Sequence, residues 1–368
     1  MKKILIIYTS VGLGHKVVAE NIAQALKKYP GLNIRLLDIL GFFNSAFFRR
    51  LSTLYLGVLK HLPWLWGFFY TNRVFHKLIL PLRLPLASLR AKKLRRYLED
   101  EGPDLVLTTQ TTATALLSYL RQRGRYQGLL VTTFSDFHFQ PFWVYPRVDR
   151  YLVMTPEQQQ EVAKLGFAKE RIIITGLPVD EEFTKDYEEG QFFHEFNLSH
   201  VKPLILIMGG SRGLGIKLSD IQALLNSSLD FQIAVITGTN EALKKRLEAI
   251  PAKDLKVFGS LPCREVAKLF AIARILVSKP GGLTVAQAIV RNLPMILVNP
   301  FPAMEEANLS YLLGRGIGVY AKNSQELRAW VERLLLDPKF YQKTKENIKR
   351  LNFEDSAKKA AEAIIDML

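Results

Sequence analysis

The feature that most constrains this chain is an apolar stretch that runs into two adjacent glycines and then into a helical pattern. Ile275–Val277 is typical of a short buried strand, and Leu283 and Thr284 open the helix. Gly281 and Gly282 between them allow a sharp turn and a close approach of the backbone to a ligand. Since the first N–H groups of a helix favour anions, this turn suits a phosphate or diphosphate. A plain strand-to-helix connection, in which the glycines serve only turn geometry, is the alternative.

A second glycine-rich turn follows another apolar stretch. Leu204–Met208 is typical of a strand, and it runs into Gly209, Gly210, Ser211 and Gly213. Two glycine turns at strand ends in one half of the chain favour a single anion that is held from both sides.

Strand and helix patterns alternate along both halves of the chain, with a polar, irregular stretch at 176–202 between them. Such alternation predicts parallel sheets covered by helices, with ligands beyond the carboxyl ends of the strands. The fold class is therefore α/β, with two similar doubly wound domains that we expect to face each other across a cleft. Their predicted bounds are 1–180 and 203–345, with a linker at 181–202 and a C-terminal helical segment at 346–368.

Length and composition limit the number of domains, the cellular compartment and the kinds of site that the chain can have. At 368 residues two domains are the default. A single cysteine, Cys263, excludes a disulfide framework and suits a reducing cytoplasm. The chain enters its first strand directly after Met1-Lys2-Lys3, without the apolar core of a signal peptide. No His/Cys cluster or Asp-X-Asp pair has the spacing of metal ligands, so we expect no required metal.

The net charge of +16 is concentrated in one segment. Residues 39–98 contain no Asp or Glu, but eleven Lys or Arg and twelve aromatic residues. Trp64, Trp66, Phe68 and Phe69 are among them. Basic and aromatic side chains together are typical of a segment that lies on an anionic membrane. Helices packed on the core with a solvated basic face are the alternative, and nucleic acid is the least favoured partner.

Two side chains are candidates for proton transfer. His15 follows Gly14 at the start of the first helix, where the helix dipole favours the neutral imidazole that can accept a proton from a hydroxyl. Asp136 follows a predicted strand at 129–133, where it could orient His15 or an acceptor hydroxyl. Structural roles, a hydrogen-bonded histidine and a turn-capping aspartate, are the alternatives.

Glu305 and Glu306 follow the predicted strand 295–298, close to the phosphate turn. Their carboxylates suit hydrogen bonds to sugar hydroxyls, although charges at the start of a helix would equally complement its dipole.

Taken together, these motifs resemble the monogalactosyldiacylglycerol synthase and processive diacylglycerol glucosyltransferase family, which is related to the peptidoglycan glycosyltransferase that makes lipid II. The matching pieces run in family order along nearly the whole chain: Gly12-Leu13-Gly14-His15, Ser135-Asp136 with Trp143 and Asp149, Gly176-Leu177-Pro178-Val179, Met208-Gly209-Gly210-Ser211, Thr237-Gly238-Thr239-Asn240, Ser278 through Thr284, and Asn299-Pro300-Phe301-Pro302 with Glu305, Glu306 and Asn308.

The resemblance implies a GT-B fold and an inverting, metal-independent transfer of a hexose from UDP-glucose or UDP-galactose to a diacylglycerol-type lipid. The enzyme would act as a peripheral protein at the cytoplasmic face of the cell membrane, with no cofactor beyond the UDP-sugar. His15 would be the catalytic base, with Asp136 near the acceptor. Residues 42–90, Gly14 and Trp143 would belong to the acceptor and membrane region. The two glycine turns would bind the diphosphate, and Ser260 and Leu261 the uracil.

Two positions depart from the family pattern. Gln287 stands where the family usually carries the Glu that binds the ribose hydroxyls, and Ala303-Met304 where it carries Gly-Gln. Two other functions remain open, a nucleotide-sugar epimerase of the same architecture and a non-catalytic, membrane-bound UDP-sugar sensor.

Overall fold

The computed structural model describes residues 1–10, 13–43, 91–301, 304–351 and 353–368. The chain divides into two compact units. Unit 1 consists mainly of Met1–Pro178 and Asp355–Leu368, and unit 2 mainly of Val179–Phe301 and Glu305–Glu354.

Unit 1 is built on a six-stranded parallel sheet in the order β2-β1-β3-β4-β5-β6. Its strands are β1 (Lys2–Tyr8), β2 (Leu32–Asp38), β3 (Leu105–Thr108), β4 (Leu129–Thr133), β5 (Arg150–Val153) and β6 (Ile172–Ile174). The central strand β3 is buried at every residue, as expected where helices cover both faces of a sheet.

Unit 2 repeats this plan in a second parallel sheet, with the order β12-β11-β10-β7-β8-β9. Its strands are β7 (Leu204–Met208), β8 (Gln232–Ile236), β9 (Leu255–Phe258), β10 (Ile275–Ser278), β11 (Met295–Val298) and β12 (Gly318–Ala321). The prediction of α/β architecture with parallel sheets is therefore confirmed.

Helices connect the strands, as parallel pairing requires. They comprise Leu13–Leu26, Ile39–Phe43, residues 91–101, Thr111–Gln122, Pro156–Lys164, Glu189–Glu195, Leu218–Leu225, Glu241–Glu248, Cys263–Ile272, Gly282–Val290, Met304–Gly314, Ser324–Leu336, Pro338–Lys349 and Ser356–Ile365. Short 3₁₀ turns lie at Pro141–Trp143, Lys169–Arg171, Glu181–Phe183 and Gly210–Arg212.

The last helix, Ser356–Ile365, belongs to unit 1 and packs on the helix Leu13–Leu26. Its Ile364 is fully buried. Arg150 at the start of β5 donates a hydrogen bond to the Ala363 carbonyl and pairs with Asp366 at 3.1 Å. The end of the chain thus completes the unit that contains its beginning.

The structure differs from the linker interpretation of residues 181–202. The turn Glu181–Phe183 and the helix Glu189–Glu195 both pack on the helix Cys263–Ile272 within unit 2. The side chain of Phe183 is fully buried, and Phe192 nearly so. These apolar residues are spread among charged ones, so they form no periodic pattern, and the segment looked like a connection although it covers the core.

Most of the segment 39–98 lies outside the described residues, including Trp64, Trp66, Phe68 and Phe69. At its ends, the short helix Ile39–Phe43 and helical residues 91–98 are described. Phe42 stacks edge-on against Tyr97 with ring centroids 5.2 Å apart. In the described part of the chain, every helix is too short or too polar to cross a bilayer.

Candidate functional site

The two glycine turns of unit 2 lie side by side, because they follow adjacent strands. β7 and β10 pair in parallel with Met208 opposite Ser278, the last residues of the two strands. Ser278 Oγ donates a hydrogen bond to the Met208 carbonyl at 2.8 Å. The turns therefore begin about 4.8 Å apart, the spacing of paired strands. This proximity is what a single anion held by both turns requires.

The first turn is packed tightly onto the loop that follows β8. Gly213 has a left-handed backbone with φ of 58°, and a Cβ there would overlap the Thr237 carbonyl oxygen. A Cβ at Gly238 would likewise overlap the Ser211 carbonyl oxygen, and the Thr239 N–H donates to the same carbonyl at 2.9 Å. Gly213 therefore sets the shape of the turn through backbone packing. Ser211 itself is exposed at its tip.

The second turn leads into a helix whose first N–H groups are open. The helix Gly282–Val290 begins after Gly281 without a side-chain cap, and its first backbone bond joins the Val285 N–H to the Gly281 carbonyl. Within the described residues, the N–H groups of Gly282, Leu283 and Thr284 have no acceptor. The turn thus presents three donors at the positive end of a helix dipole.

Two asparagines hold the turns in place. Asn299, which follows β11 with φ of 44°, donates a side-chain hydrogen bond to the Gly215 carbonyl at 2.7 Å. Asn308, which is fully buried, donates to the Pro280 carbonyl at 3.1 Å. Each glycine turn is therefore held by a hydrogen bond from the side-chain amide of an asparagine in a neighbouring segment.

The predicted sugar ligands Glu305 and Glu306 differ in their surroundings. Glu306 is exposed. Glu305 is buried and forms an ion pair with Lys279, with Oε1 and Nζ 2.5 Å apart. Its second oxygen accepts the Phe301 N–H at 2.8 Å. Glu305 therefore has both oxygens engaged by the protein.

The remaining predicted donor contacts lie in the same unit. Gln287 is buried on the helix Gly282–Val290, and its amide makes no hydrogen bond with the other described residues. A buried amide with unused donors and acceptor is suited to a polar ligand. Ser260 and Leu261 follow β9, two strands from β7 on the sheet.

In unit 1, His15 lies in the first turn of the helix Leu13–Leu26, just after β1. Its Nδ1 is buried and has no hydrogen-bond partner among the described residues. Burial lowers the pKa of the imidazole, and an interaction with the Thr109 backbone opposes that shift. The Thr109 hydroxyl also donates to the His15 carbonyl at 3.0 Å, which ties the helix start to the end of β3. These surroundings therefore favour the neutral imidazole.

Asp136 belongs to the loop after β4, at the same edge of the sheet as His15. β1 and β4 are separated only by β3, so they lie about 10 Å apart. Gln158, which is almost fully buried, donates to the Asp136 carbonyl at 2.6 Å and accepts from the Met154 N–H. This amide fixes the loop that carries the carboxylate.

Three further residues of the family motifs lie in unit 1, in different surroundings. Trp143 is only 7% exposed and packs edge-on against Phe134 at 5.3 Å, so it lies in the core of unit 1, and its place in the acceptor region stays a prediction. Asp149 pairs with Arg121 at 2.5 Å and accepts the Leu130 N–H. Gly14 has open space where a side chain would be.

The sequence interpretation missed the ion pair of Lys279 with Glu305 and the hydrogen bonds by which Thr109 and Gln158 hold the backbone at His15 and Asp136. Lys279 lies inside the second glycine motif, so a positive charge next to a predicted diphosphate site was already visible in the sequence. For the two other residues no local signal exists, because the carbonyl groups of His15 and Asp136 that they bind are distant in sequence. Among the described residues, no group of three or more His, Cys, Asp or Glu side chains could hold a metal ion.

Comparison with known proteins decides the class. The monogalactosyldiacylglycerol synthase family matches residues 15–179, and the family of glycosyl transferases group 1 matches residues 219–351. The chain is a glycosyltransferase. A processive diacylglycerol beta-glucosyltransferase from Bacillus licheniformis is 26% identical over 373 residues, which cover 99% of this chain and 95% of the relative. The predicted resemblance to the diacylglycerol glucosyltransferases is confirmed.

Solved structures of other proteins share the fold of the whole chain. The glycosyltransferase superimposes on Acinetobacter baumannii MurG with a TM-score of 0.62 and 16% identity, covering 100% of both chains. It also resembles a UDP-GlcNAc 2-epimerase from Neisseria meningitidis bound to UDP-GlcNAc, with a TM-score of 0.62, 15% identity and coverage of 99% and 100%. These similarities confirm the GT-B fold.

The close packing of the first glycine turn predicts that a side chain at Gly213 lowers the stability of the fold. In Gly213→Ala, left-handed strain adds to overlap with Thr237, and we expect a loss of about 2–5 kcal/mol in the free energy of unfolding. Gly124→Ala is the matched control, since Gly124 has φ of 63° and open space at Cβ. It should lose only about 1–2 kcal/mol. Equal losses in urea titrations would contradict the packing role.

The burial of His15 predicts its titration. In an NMR titration of the histidine ring signals, we expect the His15 resonance, assigned with His15→Gln, to titrate below the ordinary pKa of 6.5. The unfolded chain then binds the proton more tightly than the folded chain does. The contribution of His15 to the free energy of unfolding is therefore complete above pH 6.5 and is lost as the pH falls through the lowered pKa. His15→Gln should remove this part of the pH dependence. A His15 pKa at or above 6.5 would contradict a ring held neutral.

Proposed function

We propose that this glycosyltransferase transfers glucose from UDP-glucose to diacylglycerol, or to a glucosyl-diacylglycerol, to form a β-glucolipid. The observation that carries this proposal is the similarity to processive diacylglycerol beta-glucosyltransferases along 99% of the chain. Transfer from the α-linked donor to a β-glucoside inverts the anomeric carbon, so the proposed reaction is a single displacement. UDP-galactose is the second donor to test, because the first-half family is named for galactolipid synthesis.

The neutral imidazole of His15 is the proposed base. As the lipid hydroxyl attacks the anomeric carbon, its proton passes to the ring, a step that commonly contributes about 10²–10⁴ in rate. The lowered pKa keeps the ring unprotonated near neutral pH. Asp136, at the same sheet edge, is proposed to orient the acceptor.

The paired glycine turns of unit 2 are proposed to hold the UDP diphosphate. The open N–H groups of Gly282, Leu283 and Thr284, together with the turn around Ser211, would meet the phosphate oxygens. As the sugar bond breaks, the diphosphate gains charge, so these donors act more strongly in the transition state than in the ground state. Gln287 is proposed to bind ribose, with Ser260 and Leu261 at the uracil. No metal and no further cofactor take part.

The proposed place of action is the cytoplasmic face of the cell membrane, where the enzyme binds peripherally through residues 39–98. The acceptor is a membrane lipid, and the segment combines eleven cationic with twelve aromatic side chains and no acidic ones. Lys and Arg would meet lipid phosphates while the aromatic rings lie at headgroup level.

A transfer assay tests the reaction. Purified enzyme is incubated in EDTA with radiolabelled UDP-glucose or UDP-galactose and diacylglycerol vesicles, and glycolipid and released UDP are measured. We expect glucolipid formation, its loss in His15→Ala, and unchanged UDP binding in that variant. His194→Ala, a substitution at the end of the helix Glu189–Glu195, is the control and should retain activity.

Other outcomes would select a different function. Epimerisation of a UDP-sugar without acceptor would identify a nucleotide-sugar epimerase, and UDP-sugar binding without turnover would identify a sensor. Full transfer by His15→Ala would remove that residue from the base role. Loss of transfer in EDTA would contradict a metal-independent mechanism.

Membrane binding has its own prediction. Vesicle sedimentation should show binding to phosphatidylcholine vesicles that contain phosphatidylglycerol, weaker binding at high salt, and little binding to phosphatidylcholine alone. Trp64→Ser/Trp66→Ser should reduce binding at every salt concentration, because it removes interfacial rings without changing charge. Binding that ignores both salt and lipid charge would contradict electrostatic docking.

A further inference from the structure

Lys279 lies where the two glycine turns meet. It directly follows Ser278, whose hydroxyl bonds to the end of β7. Its aliphatic stem runs along the other turn: a Cβ at Gly210 would lie 3.8 Å from Lys279 Cε, and one at Gly215 would lie 3.9 Å from Cδ. The side chain thus crosses from one turn to the other.

The ammonium group is held in a fixed position. Nζ is 2.5 Å from Glu305 Oε1 and lies 4.5 Å from the centroid of the Phe301 ring. The Phe301 N–H in turn binds the other oxygen of Glu305. The side chains of Lys279 and Glu305 are 17% and 10% exposed, so the charges interact in surroundings where solvent screens them less. Such an arrangement orients a cation and leaves it partly open.

The hydrogen-bonding capacity of Lys279 is not filled. An ammonium has three protons to donate, and within the described part of the chain Glu305 is its only acceptor. Placed next to three open N–H groups of a helix start, the remaining protons suit an anion that carries several oxygens.

We propose that Lys279 is the cation that binds the donor's diphosphate and that Glu305 positions it. This rests on the proposed function. In the reaction, the acceptor oxygen forms its bond to the anomeric carbon while the bond from that carbon to the diphosphate oxygen breaks. The electron pair stays on the departing UDP, which leaves with an additional negative charge, and the acceptor proton goes to the base. The fixed ammonium faces the charge that develops on the leaving group.

This assignment changes the role of Glu305. The sequence suggested a direct hydrogen bond to a sugar hydroxyl, whereas both its oxygens are engaged by Lys279 and Phe301. Glu305 acts through Lys279, because it sets the direction in which the ammonium presents its free protons.

Calorimetry with UDP and with uridine tests the role of Lys279. Lys279→Met should weaken UDP binding by about 10- to 100-fold, as expected for a lost charge-assisted hydrogen bond. It should leave uridine binding within about twofold of the wild type, because uridine has no phosphate. Lys279→Arg, which retains the charge, should recover a large part of the UDP affinity.

The chain offers a matched control in Lys268. This lysine also pairs with a glutamate, Glu195, at 2.6 Å and also contacts an aromatic ring, that of Phe192 at 5.0 Å. It lies in the middle of the helix Cys263–Ile272, away from the strand ends. Lys268→Met removes the same charge and should bind UDP like the wild type. An equal loss in both variants would show a general charge effect and overturn the assignment.

Glu305→Gln separates positioning from folding. Because the ammonium remains, we expect UDP affinity within a few fold of the wild type but a lower kcat. The double variant with Lys279→Met should bind UDP as weakly as Lys279→Met alone.

A loss of uridine binding in Lys279→Met, or unchanged UDP binding, would overturn the role of Lys279. If the wild type bound neither UDP nor UDP-glucose, the proposed function itself would fail, which is a distinct result.

Discussion

The hydrogen-bonded pairing of β7 with β10 is the interaction on which the candidate donor site depends. It places the last residues of the two strands opposite each other, and the Ser278 hydroxyl closes the pair at the sheet edge. Everything that could meet an anion follows from it: the glycine turns, the open helix start and the Lys279 side chain that runs between them. A shift of one residue in this register would move Ser278, and the turn that follows it, out of line with the end of β7.

The glycines divide into those that shape the turns and those that leave a helix start open. Gly213 and Gly238 permit backbone-to-backbone contact between neighbouring loops, where any side chain would collide. Gly281 and Gly282 lie at a helix start without a side-chain cap. Asn299 and Asn308 then fix both turns from outside. A rigid, preformed anion site of this kind needs little reorganisation when charge develops on a bound leaving group.

Much of this architecture could be predicted from sequence, because strand and helix patterns are local. Buried runs such as Leu204–Met208 and the glycines after them identify strand, turn and helix without knowledge of the partners. Contacts between distant residues could not be predicted in the same way. The pairing of Lys279 with Glu305, 26 positions apart, depends on strand order. The burial of Trp143 and of Phe183 depends on which surface covers them, and neither lies in a periodic apolar pattern.

The return of the final helix to the first unit has a consequence for synthesis. The helix that bears His15 rests on Ser356–Ile365, so this support is missing until those later residues have been synthesised. A chain that stops before Ser356 would retain the whole second sheet and its glycine turns but would lack the surface that backs the histidine-bearing helix. Support for the helix that bears the proposed base therefore depends on a segment that is synthesised after both sheets.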